Sequence, residues 1–278
     1  MLASGKNSMY RMPVFFGPAT GPRRGPDGEP FDGTQGYDAV THTLSFLGDP
    51  DQLRAFLPPG FALYGDPVVN IFTKYMKNIG WLAGRGYNML GVNMHAEFKG
   101  KRDTAPGTLL LVLWENMTEP ILTGREELGY AKIYCDLPEP RKIGGEILCT
   151  ASWDGFRFLE FSMENLHAPS DEEDAALKAR TGALLGNLHY KYIPATGDWG
   201  AAAVEQAILG PKANAEMKTL KTWSADGAVR FHKPTWRDMP TQYMIVNALA
   251  DLEIRENLGV RITETTGSKD LGDMQPLL

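Results

Sequence analysis

Lys132 is the residue of this sequence with the clearest chemical potential. It stands alone among apolar and aromatic neighbours in the stretch Gly-Tyr-Ala-Lys-Ile-Tyr, residues 129–134. A low-dielectric setting strips a buried lysine of hydration, which lowers its pKa and leaves more of the neutral amine. The neutral amine is a nucleophile toward a carbonyl carbon, so this segment fits imine formation. The alternative from composition alone is an edge lysine whose ammonium reaches water.

Candidate acid and base groups flank this lysine. They are three carboxylates and three phenols: Glu115, Glu119, Glu127, Tyr87, Tyr130 and Tyr134. Such groups can transfer a proton or orient water and a carbonyl oxygen. For each of them the alternative is an ordinary surface carboxylate or core phenol.

The sequence offers no framework for a metal or a disulfide. Cys135 and Cys149 are too few for a disulfide scaffold and wrongly spaced for a zinc knuckle. The five histidines are scattered singly, without an HExxH segment. No phosphate-binding glycine loop is present either. We therefore expect neither a metal nor a cofactor.

Composition indicates an ordinary globular protein, with 43% hydrophobic and 22% charged residues. Its 28 basic and 34 acidic residues give a net charge of -6, which disfavours binding to nucleic acid. No apolar run approaches the roughly 20 residues that span a bilayer, and the N-terminus lacks a signal-peptide core. The sequence therefore predicts a cytoplasmic protein that binds neither nucleic acid nor membranes.

Strand-like segments must position the lysine. Apolar, β-rich runs with alternating polarity recur between glycine, proline and asparagine residues. They cover residues 67–75, 87–98, 108–114, 132–136, 146–154, 156–166 and 217–231. Because strands and helices do not alternate strictly, a doubly wound nucleotide-binding fold is disfavoured.

Helical signals are fewer. Ser170 and Glu173 form a capping box before a segment whose leucines recur at helical spacing as far as Leu188. Shorter helices are expected after Asp49 and at residues 201–209.

Three parts of the chain are expected from these patterns. The Gly/Pro-rich residues 1–36 predict an N-terminal arm that packs against another surface, such as a neighbouring subunit. Residues 37–256 form the main domain. The sequence becomes polar from Arg255 onward, which predicts a C-terminal tail over residues 257–278.

The segment around Lys132 resembles the acetoacetate decarboxylase superfamily. Members carry Gly-Arg-Glu and, two residues later, Gly-aromatic-Pro-Lys-Lys. Here Gly124-Arg125-Glu126 precedes Gly129-Tyr130-Ala131-Lys132 at the same spacing. Weaker likeness runs collinearly from about residue 37 to 256, through Leu53-Arg54, Pro58-Pro59, Phe98-Lys99-Gly100 and residues 189–197 and 236–252.

This resemblance implies an α+β fold that is mainly antiparallel β, a β-cone or barrel with peripheral helices, assembled as a homo-oligomer. It implies that Lys132 occupies the position of the imine-forming lysine, a chemistry for which acetoacetate decarboxylase is itself the standard example. An iminium accepts electrons from a neighbouring bond, so one lysine can serve decarboxylation, carbon-carbon cleavage or proton removal. Arg125 and Glu126 are expected to tie the loop together as an ion pair.

Departures from the family's pattern bear on the substrate. The decarboxylases carry a second lysine directly after the first, where this chain has Ile133. Matching the neighbouring segments places Phe72 and Met89 at two active-site glutamates of the family, and Ala39 at its arginine. Apolar groups therefore replace the charges that would steer a β-keto carboxylate, which disfavours acetoacetate as the substrate.

Without the second cation, burial has to keep the amine neutral. We expect a substrate pocket lined by Phe72, Met89, Leu128, Tyr130, Ile133, Tyr87 and Glu115. The predicted function is a Schiff-base-forming lyase for an oxo acid or other carbonyl compound, either an aldolase-dehydratase or a decarboxylase of a bulky oxo acid. The alternatives are a non-catalytic binder of a hydrophobic small molecule in the barrel cavity and a structural oligomer component.

Overall fold

The computed structural model describes residue 12 and residues 36–212, 217–267 and 273–278. The predicted arm, residues 1–36, therefore lies outside the described residues except for Met12 and Gly36. Most of the described chain belongs to one large sheet. Among the described residues, no helix combines the length and apolar character needed to cross a bilayer.

The strands of this sheet vary from three to fourteen residues in length. In chain order they are β1 (Tyr37–Gly48), β2 (Phe61–Leu63), β3 (Val68–Lys77), β4 (Asn88–Lys99), β5 (Thr104–Glu115), β6 (Lys132–Tyr134), β7 (Arg141–Ile143), β8 (Glu146–Trp153), β9 (Phe156–His167), β10 (Gly186–Pro194), β11 (Ala202–Pro211), β12 (Lys218–Phe231), β13 (Ile254–Gly267) and β14 (Gln275–Leu277). The seven strand segments predicted from polarity all correspond to strands.

The sheet runs in the order β14-β11-β10-β5-β4-β3-β1-β13-β12-β9-β8-β7, while β2 pairs with β4 and β6 pairs with β5 off this path. Neighbours are antiparallel except at β5, which pairs in parallel with both β6 and β10. The mainly antiparallel fold with few helices is confirmed. The sheet is open, so the expected closure into a barrel is wrong.

Four short α-helices lie among these strands in the described chain: α1 (Pro50–Arg54), α2 (Thr118–Thr123), α3 (Asp171–Thr181) and α4 (Tyr243–Ala250). The Asp49 carboxylate caps α1, and the predicted capping box of Ser170 and Glu173 begins α3. Helix α3 ends at Thr181 and Leu188 lies in β10, so the predicted helical leucine spacing does not continue.

Two segments differ from their predicted structure. Residues 202–209 belong to strand β11 rather than a helix, because hydrogen bonding to β10 and β14 outweighs the helical preference of an alanine-rich sequence. Most of the predicted tail is strand as well, since β13 extends to Gly267 and lies between β1 and β12. Val260 and Ile262 of β13 are buried in the core, whereas its remaining side chains are mostly polar.

Alternation along β3, β4 and β5 divides their side chains between two faces of the sheet. One face packs into the main hydrophobic core, which includes Leu90, Val92 and Trp114. The opposite face carries the register neighbours Phe72, Gly91, Leu113 and Lys132, and one step along, Lys74, Met89 and Glu115. We call this second surface the site face.

Candidate active site

A parallel crossover places Lys132 on the site face. Strand β10 pairs with β5 as far as Leu109. Further along the same edge, from Leu113 onward, β5 pairs with β6 instead. The chain reaches β6 through α2 and a π-helical turn, Gly124–Leu128. Parallel neighbours require such a crossover. It leaves the Lys132 side chain only 8% exposed, as the prediction of a buried amine requires.

Lys132 forms an ion pair with Glu115 inside this crossover. The lysine Nζ lies 2.9 Å from Oε1 of Glu115, whose side chain is fully buried. Nζ also donates a hydrogen bond of 3.1 Å to the carbonyl oxygen of Pro120. Burial raises the pKa of the Glu115 carboxyl, and the opposing effect of Lys132 offsets only part of that rise. The two groups are therefore placed to exchange a proton.

The glycine-rich motif fits around the lysine side chain. A Cβ on Gly124 would lie 2.5 to 2.7 Å from Cδ, Cε and Nζ of Lys132, so only glycine leaves room for the amine. Gly129 ends the π-helical turn with φ 79°, a left-handed conformation that favours glycine. Arg125 donates from Nη1 to the backbone oxygen of Lys132 at 2.8 Å. Arg125 thus ties the loop to β6 directly, without the expected ion pair to Glu126.

Tyr130 and His189 form a stacked pair beside the amine. The Tyr130 ring centroid lies 5.1 Å from Lys132 Nζ and 4.0 Å from the ring centroid of His189 in β10, with the two ring planes tilted by 37°. Burial raises the pKa of Tyr130, so its phenol stays protonated at neutral pH. His189 is buried and had no site role in the sequence-based prediction, although residues 189–197 were part of the family likeness.

Met89 and Phe72 both lie on the site face, but at different distances from Glu115. Met89 is the direct cross-strand neighbour of Glu115. Phe72 lies opposite Gly91, where a Cβ would come within 2.2 Å of the ring, so the ring covers bare backbone. Both side chains are partly exposed.

A small apolar cluster adjoins Met89 on the site face. Its buried members are Ala39, Met76 and Ile79, and Tyr37, Trp81, Leu82, Tyr87 and Met89 pack against them. Ala39, which the sequence match placed at the family's arginine, therefore lies in an apolar setting. The cluster gives the site face three aromatic side chains near the Glu115 strand.

The remaining predicted residues are distributed unevenly. Leu128 is buried at the end of the π-helical turn. Ile133 lies opposite Trp114 and packs against the main core, because adjacent residues of a strand point to opposite faces. It therefore does not line the site face with Lys132. Glu119 and Tyr134 are exposed.

The part of the chain that the structure describes holds no group of three histidine, cysteine, aspartate or glutamate side chains able to bind a metal ion. The two cysteines are free thiols, and both are buried. Burial raises the pKa of each, so neither resembles an activated nucleophile. Among described residues, the Lys132–Glu115 pair remains the strongest candidate for chemistry.

Comparison with known proteins places this geometry in a family. The sequence profile of acetoacetate decarboxylase matches residues 11–268. The chain therefore belongs to the acetoacetate decarboxylase family, as its motif predicted. The matched range includes strand β13, in agreement with its position inside the sheet. No curated protein matches the chain significantly.

Solved structures share the fold at low sequence identity. Acetoacetate decarboxylase from Legionella pneumophila subsp. pneumophila str. Philadelphia 1 is 17% identical with a TM-score of 0.66, over 91% of this chain and 92% of that one. An acetoacetate decarboxylase-like enzyme from Sphingomonas wittichii RW1 is 15% identical with a TM-score of 0.64, over 89% and 94%. The enduracididine biosynthesis enzyme MppR complexed with pyruvate is 16% identical with a TM-score of 0.63, over 93% and 98%.

Proposed function

We propose that this chain is a Schiff-base-forming lyase in which Lys132 condenses with the carbonyl group of a small-molecule substrate. The observation that carries the proposal is the contact of 2.9 Å between the buried Lys132 amine and the buried Glu115 carboxylate. Membership of the acetoacetate decarboxylase family supports a lyase of this kind. Lys132 is the nucleophile and Glu115 is the acid and base.

Imine formation begins from the neutral amine. Transfer of one proton from the Lys132 ammonium to Glu115 produces an amine and a carboxylic acid without changing the net charge. Burial favours the uncharged form of Glu115, whose pKa is raised. Glu115 thereby supplies by proton acceptance what a second lysine supplies by repulsion in the decarboxylases.

Condensation then uses the same carboxyl group. The Lys132 nitrogen adds to the carbonyl carbon, and the proton that nitrogen loses reaches the carbonyl oxygen through Glu115. Glu115 next protonates the resulting hydroxyl group, which leaves as water. The product is an iminium cation beside the Glu115 carboxylate, so the charge remains balanced.

The iminium carbon accepts the electron pair of a bond broken at the neighbouring carbon. That bond joins carbon to carbon in an aldolase or a decarboxylase, and carbon to hydrogen in a dehydration sequence. MppR has been solved with pyruvate and with the condensation product of pyruvate and imidazole 4-carboxaldehyde. This relative supports aldolase-dehydratase chemistry as the leading reaction type, with decarboxylation of a bulky oxo acid as the other.

Borohydride trapping tests the imine directly. The protein is incubated with a panel of carbonyl compounds, including pyruvate and aromatic ketones, then reduced, digested and weighed by mass spectrometry. We expect the reduced ligand's mass on the peptide that contains Lys132, and no adduct in Lys132→Met. Lys191→Met is the matched control, because Lys191 is also partly buried and its pKa is lowered by burial.

The same experiment separates an enzyme from a binder. A protein that holds hydrophobic ligands equally well with and without Lys132, and never yields an adduct across the panel, would be a binding protein. An adduct that persists in Lys132→Met but disappears in Lys191→Met would show that the reacting lysine is Lys191 of β10. The homo-oligomeric assembly and the cytoplasmic location stay predictions of the sequence.

A further inference from the structure

We infer that the substrate is uncharged beside its reacting carbonyl carbon: a neutral ketone or aldehyde with an apolar or aromatic body. Of the two proposed reactions, this selects the aldolase-dehydratase type over decarboxylation of an oxo acid, and it sets the substrate apart from the pyruvate bound to MppR. The inference rests on the proposed function and deepens it by assigning the charge class of the substrate. Three features of the site face support it: the charge balance of the buried pair, the partners of the nearby cations, and the adjoining apolar cluster.

The two members of the buried pair neutralise each other without a further ion. Lys132 and Glu115 have 8% and 0% of their side chains exposed. With one exchangeable proton between them, as ammonium and carboxylate or as amine and carboxylic acid, they carry no net charge. They stay neutral overall when the lysine becomes an iminium opposite the carboxylate. A substrate carboxylate beside the reacting carbon would add a second anion next to Glu115. Burying an uncompensated charge is strongly unfavourable, so such a substrate is rejected.

Among the described residues, few hydrogen-bond donors surround the Glu115 carboxylate, so no donor in contact with it is left to bind a second anion. Within the described chain, both of its side-chain oxygens are buried, and neither has a hydrogen-bond partner apart from the ion-pair contact of Oε1 with Lys132. A neutral carbonyl compound leaves this arrangement unchanged, whereas an oxo acid would compete with Glu115 for the same ammonium.

Three cations of the described chain near the site face have partners of their own. Arg125 is exposed and donates to the backbone oxygen of Lys132. Arg261, on the site face of β13, forms a 2.7 Å ion pair with Asp174. Lys74 lies two strands from Glu115 and donates to the Tyr37 hydroxyl at 3.1 Å, with its Nζ 5.0 Å from the ring centroid. Of these three, Lys74 lies on the site face and has a neutral partner, so it is the cation tested below as the alternative partner of a substrate carboxylate.

The surface next to Glu115 is apolar and aromatic. Met89 joins Glu115 to the cluster around Ala39, where the rings of Trp81 and Tyr87 meet edge to face at 6.4 Å. Such surface binds a ligand mainly through buried area, with a few polar contacts that fix its orientation. Burial raises the pKa of Tyr87, so this phenol is neutral and can donate to a carbonyl oxygen.

A matched pair of probes tests the charge class. Phenylacetone and phenylpyruvate share the benzyl ketone and differ in carrying a methyl group or a carboxylate beside the carbonyl. Each is trapped with borohydride on the full-length protein, and the yield at Lys132 is divided by the yield on Nα-acetyllysine under the same conditions. We expect the normalised yield to favour phenylacetone by at least about tenfold, because phenylpyruvate brings a second anion to the site. A tenfold preference needs only a modest free-energy difference.

Two variants locate the source of this preference. Glu115→Gln removes the buried anion, so the ratio of the two yields should shift toward phenylpyruvate by about tenfold, whatever happens to the overall rate. Glu119→Gln removes an exposed carboxylate from the neighbouring α2 and should leave the ratio unchanged. The wild-type ratio decides the inference even if Glu115→Gln does not fold.

The outcomes are separable. Equal or stronger trapping of phenylpyruvate by the wild-type protein would overturn the charge assignment while the Schiff base stands. Loss of that adduct in Lys74→Met would then identify Lys74 as the partner of the substrate carboxylate. Trapping of neither probe, nor of any other carbonyl compound, would defeat the proposed function and this inference with it.

Discussion

Gly124 lies so close to Lys132 that a β-carbon at position 124 would stand 2.7 Å from the lysine Nζ. The Gly-Arg-Glu motif therefore has a spatial reason: its glycine lets the π-helical turn pass over the amine, and its arginine binds the backbone oxygen of the same lysine. Burial of Lys132 depends on the turn as much as on the strand.

Gly124→Ala should separate the amine from Glu115. The atoms that a methyl group would meet are the flexible end of the lysine side chain, so the lysine moves and the fold persists. We expect imine trapping to fall at least about tenfold while the melting temperature changes by only a few degrees. An alanine variant that traps ligand as well as the wild type would contradict this account of the motif.

Glu115→Gln should slow imine formation by about a hundredfold or more, the usual range for loss of a general acid or base. An amide can neither accept the lysine proton nor protonate the departing hydroxyl group. The measurement is the rate of adduct formation with phenylacetone under quenched-flow borohydride reduction. Glu119→Gln serves as the control, and equal rates in the two variants would remove Glu115 from the mechanism.

Two buried histidines should make stability fall as the solution is acidified. His42 and His95 are 2% and 4% exposed, and burial lowers the pKa of each from 6.5 to about 4. The unfolded chain therefore binds protons between these values that the folded chain does not. The stabilisation is complete above pH 6.5 and is lost as pH falls to about 4, by up to about 3 kcal/mol per histidine.

Urea denaturation at about pH 7 and about pH 4.5 measures this loss. His42→Gln should remove about half of the part of this difference that the two histidines contribute, because one of them no longer titrates. Comparing the variant with the wild type separates this contribution from that of the carboxyl groups. An unchanged difference in His42→Gln would show that His42 is protonated in the folded protein.

Gln242 should connect helix α4 to the site strands. Trp114 donates from Nε1 to its side-chain oxygen at 2.7 Å, and its amide donates to the Tyr134 backbone oxygen at 3.1 Å. Gln242→Ala leaves the buried indole N–H without this acceptor, so we expect the free energy of unfolding to fall by about 1–3 kcal/mol. Met244→Ala, on the exposed side of α4, should change it by less than about 0.5 kcal/mol.

The fold was predictable where polarity alternates over a buried strand. Strands β3, β4 and β9 each carry enough apolar residues on the core side to show the pattern. Strand β13 does not, because its fully buried residues, such as Val260 and Ile262, are few among polar ones. Strand β11 was wrongly predicted as a helix for another reason. Its alanines favour a helix, and only pairing with strands distant in sequence makes this segment extended.

The residue types of the candidate site were predictable from the sequence, whereas their contacts were not. Lys132 follows from one motif, and Glu115 was a candidate only for its closeness in sequence. Their contact depends on the parallel register of β5 and β6, which aligns Leu113 with Lys132 and is a tertiary property. The same register turns Ile133 toward the core, and the stacking of His189 on Tyr130 depends on β10 arriving at the same edge.

The crossover between β5 and β6 has a consequence for altering the protein by substitution. Glu115 and Lys132 are seventeen positions apart in one continuous stretch, whereas Met89 and Phe72 come from earlier strands. The residues proposed to transfer protons and form bonds therefore lie in one segment, and the apolar residues proposed to select the substrate lie in other strands. Substitutions in β3 and β4 should accordingly change the preferred substrate while the contact between Lys132 and Glu115 is retained.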